Sequence, residues 1–236
     1  MRAVLASAAL LLASTLAAPA QEARIVAADF TTPTARYDHG ILGDIPAWGE
    51  MVVTLSSGHA RRVVLPETRV FEDIAPRLVD VTGDDAPEIV VVETDVARGA
   101  RLSVYDARGL VAAGPFIGRP HRWLAPVAVA DLDGDGATEF AWIDRPHLAR
   151  TLRVWRRAGR ELVEVARMGG VTNHRIGDEH ISGGLRDCGA GPEMIVASAD
   201  WRRVVAVRLA GDELVRRDLG PADGPASFRE ALDCAD

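Results

Sequence analysis

The sequence predicts an all-β protein, a β-propeller of about four four-stranded blades with a period of about 51 residues. Three observations carry that expectation: an acidic loop motif that recurs, a set of hairpin glycines on the same period, and the absence of long helical periodicity.

The acidic motif is clearest in Pro126–Asp144, where Asp131, Asp133, Asp135 and Glu139 sit between two apolar runs. Stepping back 51 residues reaches Asp80, Thr82, Asp84 and Glu88 before Ile89–Val92. A further 51 back reaches Asp29, Thr31 and Pro33, a degraded copy, and 54 forward reaches Leu185, Asp187 and Glu193 before Met194–Ala197. On this alignment Asp29, Asp80, Asp131 and Leu185 are equivalent.

The second landmark is Gly58, Gly109, Gly159 and Gly211, spaced by 51, 50 and 52 residues. Each follows an alternating apolar run (Val52–Leu55, Leu102–Tyr105, Leu152–Trp155, Val204–Val207) and precedes another short one. Glycine supplies the positive φ that tight hairpins need. Each unit therefore holds about four short strands, with boundaries near 24–75, 76–125, 126–180 and 181–236. A β-sandwich with accidental regularity is the alternative, and two landmarks sharing one period disfavour it. The ring is expected to close on four blades, with a larger ring completed by a second copy left open. Leu148–Ala166 and the tail are the stretches whose periodicity is ambiguous.

Residues 1–20 read as a secretory signal peptide: Arg2, an apolar stretch from Val4 to Leu16, and the small-x-small pattern Ala18-Pro19-Ala20 before Gln21. The stretch is short for a membrane anchor, and charges follow at once with Glu22 and Arg24. An exported chain is expected, periplasmic or secreted, with no membrane insertion once the signal is removed. The formal charge is −7, from 27 basic and 34 acidic residues, which argues against nucleic acid as a partner. Every basic residue is arginine. Lysine Schiff-base chemistry and the Walker phosphate loop, which need lysine, are thereby excluded.

The third acidic loop carries specific chemistry. Calcium takes six to eight oxygens at about 2.3–2.6 Å, some from main-chain carbonyls. Asp131, Asp133 and Asp135 alternate, Gly134 and Gly136 permit a tight curl, Ala137 offers its carbonyl and Glu139 closes the set. An EF-hand is excluded because Trp142 stands where its bidentate glutamate belongs, and the flanks are strand-like. Asp80, Thr82, Asp84 and Glu88 form a second, weaker calcium loop, since Thr82 contributes only a neutral oxygen. The first loop (Asp29, Thr31, Pro33, Tyr37) and the fourth (Leu185, Asp187, Gly189, Glu193) are expected to have lost the ion.

The run Asp131-Leu132-Asp133-Gly134-Asp135-Gly136-Ala137-Thr138-Glu139 between strands resembles the calcium loop of FG-GAP and VCBS repeats. Phe116-Ile117-Gly118 and Ala125-Pro126 are similar to the elements that name those repeats, imperfectly in both cases. The resemblance is strong in units two and three and faint in one and four. It implies a propeller fold and structural calcium. It does not imply one activity, because such propellers serve adhesion, ligand binding and enzyme support alike. The function expected is a binding or scaffold module for a protein or glycan ligand. Trp48, Trp123 and Trp201, near connections, are candidate ligand contacts, and Trp142 and Trp155 read as core.

An enzyme reading rests on Asn173-His174-Arg175-Ile176-Gly177-Asp178-Glu179-His180, which could serve a hydrolase or a metal-dependent enzyme. Its spacing matches no zinc motif, and loops collect such residues because they are solvated. Cys188 and Cys234 are expected to form one disulfide, with two free thiols as the alternative. Such a bond would stiffen a loop that has lost its ion and hold the last blade at the seam of the ring.

Overall fold

The computed structural model describes residues 23–41, 43 and 45–235; the expected signal peptide lies outside the described residues. The chain is all-β apart from one short helix, and its sheets are curled. The strands run β1 (Ile25–Thr34), β2 (Ala47–Leu55), β3 (Ala60–Val64), β4 (Arg69–Phe71), β5 (Arg77–Val79), β6 (Glu88–Asp95), β7 (Gly99–Asp106) and β8 (Gly109–Ala113). They continue as β9 (Leu124–Ala130), β10 (Glu139–Asp144), β11 (Thr151–Ala158), β12 (Glu161–Gly169), β13 (Val171–Thr172), β14 (Gly184–Asp187), β15 (Pro192–Ser198), β16 (Arg203–Ala210) and β17 (Glu213–Pro221). The helix α1 is Pro225–Leu232.

Strand pairing resolves into four antiparallel meanders in chain order: β1-β2-β3, β5-β6-β7-β8, β9-β10-β11-β12 and β14-β15-β16-β17. Each glycine of the periodic set turns a hairpin, with φ of +82° at Gly58, +143° at Gly109, +64° at Gly159 and +63° at Gly211. The ambiguous stretch 148–166 is mostly strand, and the tail supplies α1.

In units two and four the first strand is broken. β4 and β5 share one edge of β6, and β13 and β14 share one edge of β15. The interruptions, residues 72–76 and 173–183, leave the sheet and carry polar side chains inward, including Glu72, Asp73, Asn173 and His174.

The second strand of each unit explains the stacking. β6 and β10 are buried along their whole length, as their unbroken apolar runs demand, because both faces are covered. Successive side chains point to opposite faces. Val90 and Val92 therefore join a core shared with Phe140, Trp142, Met194 and Val196, whereas Ile89 and Val91 join Met51 and Val53 of unit one, with Phe71 of β4. In β15, Met194 and Val196 face unit three, while Ile195 and Ala197 pack on Phe228 and Ala231 of α1. β2 alternates buried and half-buried residues, so it covers one face only.

The expected closure into a four-bladed ring is not shown. Among the described residues no strand of unit four pairs with unit one, and α1 occupies the free face of β15. Cys188 and Cys234 are joined, with Cα atoms 5.8 Å apart. The bond ties the end of α1 to the β14–β15 loop of its own unit. Arg186 inserts beneath it and donates to the carbonyl of Ala231 in the last turn of the helix, where cations are favoured.

Candidate functional site

The carboxylate loops lie at one end of the units, at the start of the second strand. Asp131 accepts from the N–H groups of Gly134 (2.7 Å) and Gly136 (3.0 Å), and Asp135 from that of Ala137 (2.8 Å). The two glycines take φ of +83° and +88°, which lets the loop curl around its first aspartate. Glu139 is fully buried and accepts from the Leu132 N–H at 2.7 Å. Burial pushes its carboxyl above the ordinary value, and the Leu132 N–H and Arg156 oppose this without reversing it.

Among the described residues, one trio of acid or histidine side chains has ligand atoms all within 4.8 Å: Asp131, Asp133 and Glu139. Asp135 stands outside that trio. Its carboxylate meets Arg156 at 3.1 Å, and the same guanidinium reaches Asp133 at 2.6 Å and Glu139. Arg156 is directly across the β10–β11 ladder from Glu139. It thus sits where the sequence places a cation, and its own pKa is raised, first by the Glu139 hydrogen bond. Sequence reading missed it because a residue 17 positions on from Glu139 becomes a neighbour only through the hairpin register.

The second loop is built alike. Asp80 accepts from Gly83 (2.7 Å), Asp84 (3.3 Å) and Asp85 (2.9 Å), and Glu88 accepts from the Val81 N–H at 2.8 Å. Thr82 donates to Glu88 at 3.4 Å, and burial raises the Glu88 carboxyl. Thr138 of the third loop donates to the Asp80 carbonyl at 3.2 Å, joining the two loops across a cleft.

Two equivalences drawn from spacing change. Glu139 pairs with Ala130 and Glu88 with Val79, but Glu193 pairs with Arg186, so the fourth loop is two residues shorter. Asp187, not Leu185, therefore matches Asp131, and it accepts from Gly189 (2.8 Å) and Gly191 (3.1 Å) in the same fashion. In unit one, Asp29, Thr31 and Pro33 lie inside β1, paired along β2, so no loop exists there. The β1–β2 connection at 35–46 takes its own course, burying Tyr37.

At the opposite end of β10 lies a cavity of about 270 Å³ that gathers His39, His121, His147 and His174. Each histidine comes from a different connection: β1–β2, β8–β9, β10–β11 and β13–β14. His147 Nε2 and His174 Nδ1 are 3.0 Å apart, and His174 Nε2 is 3.0 Å from the Asp178 carbonyl. Burial lowers both pKa values; next in size, His174 lowers that of His147 further, while the Asp178 carbonyl works against the shift at His174. On the far wall His39 engages buried Glu72, and His121 meets Asp38 at 3.0 Å while stacking on Tyr37. Burial comes first in raising Glu72, against the pull of His39.

The cluster singled out from sequence, His174, Asp178, Glu179 and His180, is divided. His174 faces the four-histidine cavity, while Asp178 and His180 line a smaller one with Trp201 and Phe228. His174 meets the main-chain oxygen of Asp178, not its carboxylate. Trp123 is buried, donates to the Glu72 carbonyl at 2.8 Å and sets its edge against His174. Trp201 packs on Phe228 under Arg175, and Trp48 of β2 stacks on Phe30 of β1. Trp142 and Trp155 are core, as expected. The convergence of histidines left no trace in spacing, because the four sit at irregular intervals in connections of unequal length.

No family model, curated protein or solved structure matches this chain.

Proposed function

We propose that this chain is an exported, calcium-bearing propeller of the FG-GAP/VCBS repeat type that serves as a binding or scaffold module. The observation that carries the reading is the pair of successive loops at Asp80–Glu88 and Asp131–Glu139. Both curl around a first aspartate and are closed by a buried glutamate at the same register. The blades follow one another in the order of the meanders, and the seam between the last and the first holds α1 and the Cys188–Cys234 bond. Calcium binds through Asp131, Asp133, Asp135, the Ala137 carbonyl and Glu139, displacing Arg156. The second loop binds more weakly through Asp80, Thr82, Asp84 and Glu88.

The ligand, a protein segment or a glycan, meets the opposite end, where the histidine cavity is rimmed by exposed Leu148 and Ile176, 62 % and 82 % accessible. Exposed apolar side chains around a concave polar site favour a ligand over bare solvent. The test is thermal melting of the mature protein with calcium and with chelator, alongside a glycan and peptide binding screen. At 100 times the dissociation constant, calcium should add about 2.7 kcal/mol. An identical melting temperature in chelator would defeat the calcium reading. Turnover of a glycan or ester that is lost in His174→Ala would replace the binding module with an enzyme.

A further inference from the structure

We propose that His147 and His174 form a binding site for a divalent transition metal of the copper and zinc class, separate from the carboxylate loops. A main-chain carbonyl only accepts, so His174 Nε2, 3.0 Å from the Asp178 carbonyl, carries the proton. His174 Nδ1 then presents a lone pair, and it lies 3.0 Å from His147 Nε2. Two imidazole nitrogens bound to one tetrahedral ion at about 2.0–2.1 Å stand roughly 3.3 Å apart. The observed pair needs to open by only a few tenths of an ångström, with a tilt of the rings, to admit the ion.

The proton balance is simple. The neutral His147 ring moves its proton from Nε2 to Nδ1, both nitrogens of the pair become donors to the metal, and no proton is released. The surroundings fit. A metal-bound histidine commonly donates its other N–H to a carbonyl, which fixes its orientation, and Asp178 already does this for His174. Trp123 meets the His174 ring in an edge contact, and Pro146, directly before His147, is buried. The pair lines the same cavity as His39 and His121, whose Nδ1 and Nε2 atoms, respectively, are already committed to Glu72 and Asp38. The site is therefore open, with two protein ligands and room for water or a donor group of a bound ligand. Imidazole donors select copper, nickel and zinc over calcium, so the two ends of the protein call for different ions.

The test is titration of the full-length mature protein with copper(II), in millimolar calcium, read by electron paramagnetic resonance and by calorimetry. One copper per chain with hyperfine coupling to two imidazole nitrogens is expected. His147→Gln should weaken binding at least tenfold, and His59→Gln should leave it unchanged. Because His174 is buried, His147→Gln, at a half-exposed position, is the primary variant, and an unchanged calcium-free melting temperature certifies its fold. Asp133→Asn should leave copper binding intact, which separates this site from the calcium reading. Copper signals without nitrogen coupling, or affinity that persists in His147→Gln, would overturn the proposal.

Discussion

The third and fourth loops occupy the same place in their units and solve the same electrostatic problem in different ways. Both present an aspartate that gathers loop N–H groups, and both end on a glutamate at the start of a buried strand. In the third, Glu139 is held above its ordinary pKa by burial, and the neutralising cation is Arg156, a quarter exposed and reaching in from the neighbouring strand. In the fourth, burial also pushes Glu193 upward, but the hydrogen bond from Arg186 and the charge of Arg217 outweigh it, and the carboxyl ends below its ordinary value. Arg186 has a side chain only 1 % exposed and is bound at its other end to α1. A partly solvated arginine can yield its place to an ion. A buried one that also caps a helix cannot, and there a disulfide closes the loop instead.

Breaking the fourth loop should cost most. Glu193→Gln removes the carboxylate that buried Arg186 meets at 2.8 Å, and removal of one partner of such a pair costs about 3–5 kcal/mol. The sign with pH follows from the lowered carboxyl: its contribution is full above the unfolded value of about 4.5 and is lost as pH falls through the lower folded value. Denaturant melts of parent and variant should therefore differ widely at pH 7 and converge in acid; a constant gap would show that charge is not the cause.

Replacing both Cys188 and Cys234 by serine should cost up to about 4 kcal/mol, from the chain entropy of a loop of 46 residues. The loss should appear together with undocking of α1, seen as rapid hydrogen exchange at 225–232. Protection that survives would mean that Arg186 and the apolar contacts of Phe228 suffice.

In the third loop the effect should run the other way. Arg156→Gln removes the competing cation and should tighten calcium binding about tenfold, or about 1.4 kcal/mol, by calorimetry. Weaker binding in that variant would show that the arginine supports the ion site rather than occupying it.

The smallest effect is expected at the link between loops. Thr138→Val deletes one hydrogen bond to the Asp80 carbonyl, worth about 1 kcal/mol. It should also reduce any coupling between the second and third loops in a calcium titration, and unchanged coupling would place the communication elsewhere.

The sequence by itself determined the all-β character, most of the strands, the curl of the third carboxylate loop and the glycine hairpins. These depend on local periodicity and on turn chemistry, which a chain carries in its own spacing. It also placed both cysteines, though not the helix between the last strand and Cys234, whose eight residues show little beyond Phe228 and Ala231 facing inward. Tertiary structure alone decided the rest. Asp187 replaced Leu185 because strand register, not residue count, aligns the loops. Arg156 entered the carboxylates because hairpin pairing sets it opposite Glu139. Four histidines met in one cavity because four connections, in or between different units, end on the same side of the stacked sheets, a juxtaposition made by packing between units and so invisible in any single stretch of chain.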